Sequence, residues 1–118
     1  MLSFTGSLRI LIALTPCDMR RSYDGLLGLI TQELKEDVRT GSLFVFTNKP
    51  RTRIKVLYWD GSGLWLMAKR LEKGTFSWPQ SPESADTKLQ LSATAFAMLT
   101  DGVELRQGSQ RAWYDKTP

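Results

Sequence analysis

The sequence predicts a single α+β domain in which an antiparallel β-meander packs against two short-to-medium helices. Two observations carry this prediction. Apolar, strand-like runs alternate with short turns between residues 41 and 79, and a helical pattern lies on each side of that region. A chain of 118 residues with 42% hydrophobic content is long enough to bury one core. We therefore expect one domain over residues 1–118, with an ordered core at about 8–105 and a polar tail at 106–118.

The first two elements are a buried strand and an amphipathic helix. Residues 8–14 (LRILIAL) are expected to form the buried strand, which Pro16 ends because proline lacks the donor that a sheet needs. Asp18 stands at an N-cap position, and the helix is expected from Met19 to about Lys35. Its spacing predicts one buried stripe, made of Tyr23, Leu26, Leu27, Ile30 and Leu34.

The meander follows a turn at residues 39–41. Strands are expected at about 42–47, 52–59, 64–71 and 75–78, joined by turns at 48–51, 60–63 and 73–74. Residues 79–88 have the composition of an exposed loop. A second helix is expected from the N-cap Ser92 to Thr100, with Phe96 and Leu99 turned inward and Gly102 as its stop. Residues 103–105 would add an edge strand.

Side-chain alternation divides the meander into two faces. Regular hairpins place Trp59 opposite Leu64, and therefore Arg53 opposite Arg70. A pairing of Thr47 with Thr52 would put Phe46 opposite Arg53. One face is then apolar throughout and is expected to pack on the helices: Leu43, Val45, Ile54, Val56, Tyr58, Trp65 and Met67. The other face mixes aromatic rings with cations: Phe44, Phe46, Trp59, Arg53, Lys55 and Arg70.

This mixed face suits nucleic acid, because cations displace counterions from phosphates and aromatic rings stack on unpaired bases. The alternative is an ordinary solvated face on which arginine stems cover the phenylalanine rims. A direct pairing of Arg53 with Arg70 is unfavourable by itself, so it favours an anionic partner or a nearby carboxylate such as Glu72.

Composition indicates the kind of partner and the cellular compartment. Sixteen Lys and Arg residues against twelve Asp and Glu give a net charge of +4, which favours a polyanionic partner. Cys17 is the single cysteine, so no internal disulfide forms. Together with the lack of a signal-like N-terminus, it predicts a cytoplasmic protein. The longest apolar run, residues 10–14, is far shorter than the roughly 20 residues that a spanning helix needs.

Catalysis has little support in the residue inventory. The chain has no histidine and one cysteine, which excludes Ser/His, Cys/His and common zinc-ligand sets. Carboxylates alone can hold magnesium, and the candidates are Asp18, Asp24 and Asp60. Each has a structural explanation, as a helix cap, a first-turn charge and a turn former respectively. We therefore expect neither enzymatic activity nor a metal or other cofactor.

Three sequence blocks stand out: residues 17–26 (CDMRRSYDGL), residues 41–46 (GSLFVF), and a third made of 54–60 (IKVLYWD), Gly63-Leu64 and 69–79 (KRLEKGTFSWP). These blocks resemble a known family, the TnpB-type accessory proteins encoded by the second open reading frame of the bacterial insertion-sequence group sixty-six. The resemblance covers about residues 8–105. It implies a role in transposition beside a separate, larger transposase that carries the strand-transfer carboxylates. It assigns no chemistry to individual residues of this chain.

Two hypotheses of different classes follow. In the first, the protein binds element DNA through its cations; the expected contacts are Arg53, Lys55, Lys69, Arg70, Lys73, Arg20 and Arg21. Arg20 and Arg21 have a simpler alternative, pairing with Asp18 or Asp24.

In the second hypothesis, the domain docks on the transposase without contacting DNA, with exposed Trp59 and Trp78 as anchors. Core or hairpin packing is the alternative for both tryptophans. An edge strand near residue 8 or 103 would support a dimer, but the sequence does not give the strand order.

Overall fold

The computed structural model describes residues 8–81, 83 and 85–102, and within them lie five strands, two α-helices and one 3₁₀-helix. In chain order these are β1 (Ile10–Ala13), α1 (Tyr23–Gln32), the 3₁₀-helix (Val38–Thr40), β2 (Leu43–Thr47), β3 (Arg53–Trp59), β4 (Leu64–Arg70), β5 (Lys88–Leu91) and α2 (Ala93–Thr100).

The strands form one mixed sheet in the order β4-β3-β2-β1-β5. β2, β3 and β4 are the predicted antiparallel meander, whereas β1 runs parallel to β2 because α1 carries the chain back between them. β5 adds antiparallel to β1. The α+β class is confirmed, and within the described residues the edge strands of this sheet are β4 and β5.

A helix covers each face of the sheet. α1 packs on one face, where the buried residues are Leu11, Ala13, Leu26, Ile30, Leu34, Phe44, Phe46 and Leu57. α2 packs on the other face, where they are Ile10, Ile12, Leu43, Val45, Ile54, Val56, Phe76, Trp78, Leu91, Ala95 and Leu99. Strands buried on both faces explain why residues 10–13 and 43–47 read as continuous apolar runs instead of alternating ones.

The predicted start of the first helix is wrong. α1 begins at Tyr23 after the N-cap Ser22, not at Met19 after Asp18. Asp18 instead closes a separate turn, in which it accepts a hydrogen bond from the backbone N–H of Arg20. The predicted stripe holds for Leu26, Ile30 and Leu34, but Tyr23 is 44% exposed because it lies in the first turn, at the margin of the sheet.

One predicted register is confirmed and the other is wrong. Arg53 lies opposite Arg70, as expected. Between β2 and β3, however, Thr47 lies opposite Ile54 and Phe46 opposite Lys55, two residues away from the predicted pairing. The cause is a wider turn, in which the side chain of Asn48 accepts hydrogen bonds from the backbone N–H groups of both Thr52 and Arg53. A shift of two residues keeps every side chain on its predicted face.

The predicted strand at 75–78 does not form. This segment crosses the α2 face in irregular conformation and buries Phe76 and Trp78, and the indole N–H of Trp78 donates to the backbone oxygen of Ala13 at 3.0 Å. The next strand is β5, which was not predicted: its first residue, Lys88, was placed at the end of a loop, and residues 89–91 were assigned no element.

The second helix agrees with its prediction. The hydroxyl of Ser92 accepts from the backbone N–H of Ala95, Leu99 is buried, and Phe96 packs against the core. Gly102 ends the helix with φ 76°, in the left-handed region that favours glycine. The strand expected at 103–105 lies outside the described residues.

Candidate nucleic-acid interface

Positive charge is concentrated at one end of the sheet, which we call the basic end and define as residues 48–55 and 68–74. These stretches hold seven Lys and Arg residues and one carboxylate, Glu72, whereas the rest of the chain holds nine cations and eleven carboxylates. β3 and β4 bring the two stretches together, since Leu71 donates its backbone N–H to Thr52 at 3.0 Å. The excess charge of the chain therefore lies in one place.

The β2–β3 turn presents two cations that the sequence reading did not select, Lys49 and Arg51. Asn48 organises the turn: its carboxamide bonds Thr52, and its backbone oxygen accepts from Arg51 at 3.1 Å. Arg51 has φ 59° and donates no side-chain hydrogen bond within the described residues. Charge counted in short windows of the sequence would have found both cations.

Arg53 and Arg70 lie side by side on the α1 face, and both are exposed. Arg53 and Arg70 form a non-hydrogen-bonded pair of the antiparallel ladder. In pairs of this kind the opposing side chains lie closest to each other. The ion pairs of the described residues involve the cations Arg9, Arg20 and Lys88, so neither arginine has a carboxylate partner there. Two unneutralised guanidinium groups at this separation repel each other and would be stabilised by an anion between them.

A groove runs beside this arginine pair. Its volume is about 290 Å³, and it is lined by Met19, Arg53, Ile54, Lys55, Ala68, Lys69 and Arg70. Ala68, whose small side chain is part of this lining, lies opposite Lys55 as predicted. Cations thus flank a shallow depression open to solvent.

The predicted cations Arg20 and Arg21 lie on the loop next to this groove. Lys55 donates its ammonium to the backbone oxygen of Arg21 at 2.7 Å, which ties the loop to β3. Arg20 forms a two-pronged ion pair with Asp18, as the simpler alternative expected, and these hydrogen bonds lower the pKa of Asp18 to about 2. Arg21 donates weakly to Gly25 and carries no ion pair among the described residues. Of the two, Arg21 is therefore the better placed for an anion.

Lys69 and Lys73 occupy different settings. Lys69 faces α2, and its ammonium donates to the backbone oxygen of Thr100 at 2.6 Å, where a cation stabilises the carboxyl end of a helix. This contact gives Lys69 a structural role, on the face opposite to Arg53 and Arg70. Lys73 is exposed in the turn after β4, within the basic end.

The expected aromatic component of the interface is wrong. Phe44 and Phe46 are buried under α1, so they are unavailable for stacking on bases. Trp59 is partly buried on the α1 face at the far end of β3, with the guanidinium of Arg39 5.6 Å from its ring centre. Trp78 was expected to be exposed, but it is 6% exposed and belongs to the α2-side core. The surface at the basic end is therefore cationic without the predicted rings.

The acidic residues considered as metal ligands do not converge. Asp60 closes the β3–β4 turn: backbone N–H groups of Ser62 and Gly63 and the indole of Trp65 donate to it and lower its pKa. Asp24 lies in the first turn of α1. Across the described residues, no three Asp, Glu, Cys or His side chains are grouped as a metal site would require.

Cys17 is not activated as a nucleophile. Burial raises the pKa of its thiol, which disfavours the reactive thiolate.

The fold and the basic end define a small α+β domain whose most distinctive surface is cationic. The model of the family described as IS66 Orf2 like protein matches residues 8–110, and the chain belongs to this family of insertion-sequence proteins. The accessory-protein resemblance noted from the sequence is thereby confirmed.

Two relatives come from Sinorhizobium fredii (strain NBRC 101917 / NGR234). The uncharacterized protein y4jC is 38% identical over 104 residues, which cover 88% of this chain and 86% of the relative. The uncharacterized protein y4hO is 32% identical over 113 residues, which cover 96% and 95% respectively. No solved structure matches the chain. In the described part of the chain, none of the helices has the length and apolarity needed to cross a membrane.

Proposed function

We propose that this insertion-sequence accessory protein acts without catalysis of its own and binds element DNA through the phosphate backbone, using its basic end. The observation that supports this most is the Arg53–Arg70 pair, two exposed cations that lie side by side beside a groove and form no ion pair in the part of the chain that the structure describes. Phosphate oxygens would bridge the two guanidinium groups and replace their repulsion with charge-assisted hydrogen bonds.

The roles of the individual cations differ. Arg53, Arg70 and Lys73 contact phosphates directly, with Lys49 and Arg51 from the adjoining turn. Lys55 and Arg20 hold the loop beside the groove, and Arg21 extends the cationic surface along that loop. Because the phenylalanines are buried, base stacking contributes little, and binding is expected to depend weakly on sequence.

A charge-matched pair of variants tests this proposal. Arg53→Gln with Arg70→Gln removes two cations from the basic end, whereas Lys35→Gln with Arg39→Gln removes two exposed cations from the α1–β2 connection. The basic-end variant should bind duplex DNA more weakly and flatten the slope of log K against log salt by about 2, since each phosphate contact contributes roughly 0.9.

The control variant should keep both the affinity and the slope of the wild type. Binding is measured by fluorescence anisotropy on labelled element-end DNA and on random duplex of equal length, at several salt concentrations. Equal losses in the two variants would indicate a net-charge effect, and unchanged binding by the basic-end variant would exclude this surface.

The second candidate function is docking on the separate transposase without DNA contact. The observation that favours it is Trp59, a partly exposed indole stacked beside Arg39, since these two residue types dominate binding hot spots. Trp78 drops out of this hypothesis because it is buried. Co-purification of the transposase with Trp59→Ala at the wild-type level would remove the remaining predicted anchor.

A further inference from the structure

β4 is an edge strand of the sheet that the described residues form, and it carries few of the features that keep edge strands from pairing with other chains. It is seven residues long, and within the described residues nothing pairs with its outer side. It contains neither proline nor a bulge, and its only charges are the last two residues, Lys69 and Arg70. Proteins usually protect such an edge with proline, bulges or charges along its length.

The direction of each peptide group in β4 follows from the hydrogen bonds at its two ends. Leu71 donates to Thr52, and Asp60 donates to Gly63 across the turn. Since peptide groups alternate along an antiparallel ladder, the outward-pointing N–H and C=O groups belong to every second residue of the strand. These residues are Leu64, Leu66, Ala68 and Arg70.

We propose that β4 pairs antiparallel with β4 of a second copy, about a two-fold axis at Met67, so that the two sheets become one continuous sheet of ten strands. Leu64 then lies opposite Arg70 of the second copy, and Leu66 opposite Ala68. Both pairs join outward-pointing peptide groups, as ladder hydrogen bonds require. All seven residues of the strand are paired in this register.

Charge placement favours a second copy as the occupant and selects the register. The cationic end of β4 meets the uncharged first half of its copy and the adjoining β3–β4 turn, where the charged side chain is Asp60, so no like charges stand directly opposite each other. Shifting the axis to residue 69 would instead set Lys69 against itself. In the proposed register, Lys69 lies opposite Trp65 of the second copy, so its alkyl stem packs along the ring while its ammonium stays on the backbone oxygen of Thr100.

The side chain of Trp65 is preorganised for this contact. It is 42% exposed, and Asp60 holds its indole N–H at 2.8 Å. An exposed aromatic ring held in place before binding loses little conformational freedom on association.

The two-fold axis of the proposed dimer is perpendicular to the sheet. As a result, α1 lies on the same side of the sheet in both copies, and the two basic ends point in opposite directions along the strands.

Cysteine cross-linking tests the register. In a Cys17→Ser background, Met67→Cys should form an intermolecular disulfide under mild oxidation, because the two Cα atoms at the axis would lie about 4.5 Å apart. Ala68→Cys is the control: position 68 is more exposed than position 67, yet its copies would lie beyond the roughly 7 Å that a disulfide can span. Non-reducing electrophoresis should show a dimer for the first variant alone.

Sedimentation velocity on the full chain provides the second measurement. The wild type should shift from monomer to dimer as its concentration rises. Ala68→Pro should remain monomeric with an unchanged circular dichroism spectrum, because the lost N–H points away from β3. The Ala68→Pro substitution should therefore abolish dimer formation while leaving the fold of the monomer intact.

Three results would overturn the proposal. One is a wild type that stays monomeric at every concentration. Another is equal cross-linking of the two cysteine variants. The third is a monomer in which the amide hydrogens of Leu66 and Ala68 exchange slowly, since another part of the same chain would then cover the edge. These outcomes do not depend on DNA binding, so the proposal can fail while the proposed function stands.

Discussion

Glu36 connects three segments that are far apart in the sequence. Its carboxylate accepts from Arg9 before β1 at 2.9 Å and from Lys88 at the start of β5. Arg9 also donates to Ser42, and Lys88 to the backbone oxygen of Leu34 at 2.7 Å. The Glu36 side chain is only 13% exposed, so this network fixes the connection after α1 against both strands.

Removing the charge of Glu36 should destabilise the fold. Glu36→Gln keeps the shape of the side chain but leaves two cations without their partner. Since both cations are partly solvated, we expect a loss of about 1–2 kcal/mol in the free energy of unfolding. Urea denaturation at pH 7 measures this loss, with the exposed carboxylate variant Glu33→Gln as the control. An effect no larger than that of the control would show that the network adds nothing to stability.

The same carboxylate predicts a pH dependence. Burial alone would raise the pKa of Glu36, but the hydrogen bonds from Lys88 and Arg9 outweigh burial and lower it. A lowered folded-state pKa means that the stabilisation is present above the unfolded pKa of about 4.3 and is lost as the pH falls through the folded value. The stability difference between wild type and Glu36→Gln should therefore shrink between pH 7 and pH 3. A constant difference over that interval would contradict this assignment.

At the scale of elements, α1 contains two glycines that occupy different environments. A Cβ at Gly25 would come within 3.1–3.2 Å of the side-chain stem of Arg21, whereas a Cβ at Gly28 would meet nothing within 4 Å. Gly25 therefore allows the loop carrying Arg21 to pack on the helix. Gly28 has no such packing role.

Alanine substitutions should separate these two glycines. Gly28→Ala is expected to stabilise the protein by about 0.5–1 kcal/mol, because alanine costs less entropy in a helix. Gly25→Ala should gain less or lose stability, since Arg21 must move. Thermal unfolding followed by circular dichroism compares the two variants. Equal stabilisation by both would contradict the close packing of the Arg21 stem.

Sequence patterns predicted the meander and the faces of its strands, because both depend on local alternation. They did not predict the strand order, since β5 reaches β1 through contacts 75 or more residues apart. The exposure of Phe44 and Phe46 was wrong for the same reason. Alternation places them on one face but does not show that α1 covers that face.

The candidate site was predicted in part. Arg53 and Arg70 were paired correctly because the β3–β4 turn is tight, and its pairing follows from sequence spacing alone. The structural role of Lys69 was not foreseeable, since it depends on where α2 ends. Similarly, Trp78 is a core residue because it packs on strands distant in the sequence, and its indole donates to the backbone oxygen of Ala13, 65 residues away.

For the whole molecule, the central observation is the separation of charge. A chain of net charge +4 confines a larger positive excess to the basic end, whereas the opposite end of the sheet, around Trp59, carries Asp37 and Asp60 beside Arg39. Such polarity would orient the protein on a polyanion even without sequence-specific contacts.

The most direct test of the account is a two-dimensional amide NMR titration of the isotope-labelled protein with short duplex DNA at moderate salt. We expect the shifts to cluster at residues 48–55 and 68–74 and on the loop at 19–21, with little change around Trp59 and the 3₁₀-helix. Shifts centred on the Trp59 end of the sheet, or none at salt concentrations where basic domains bind DNA, would contradict the proposal that the basic end is the DNA-binding surface.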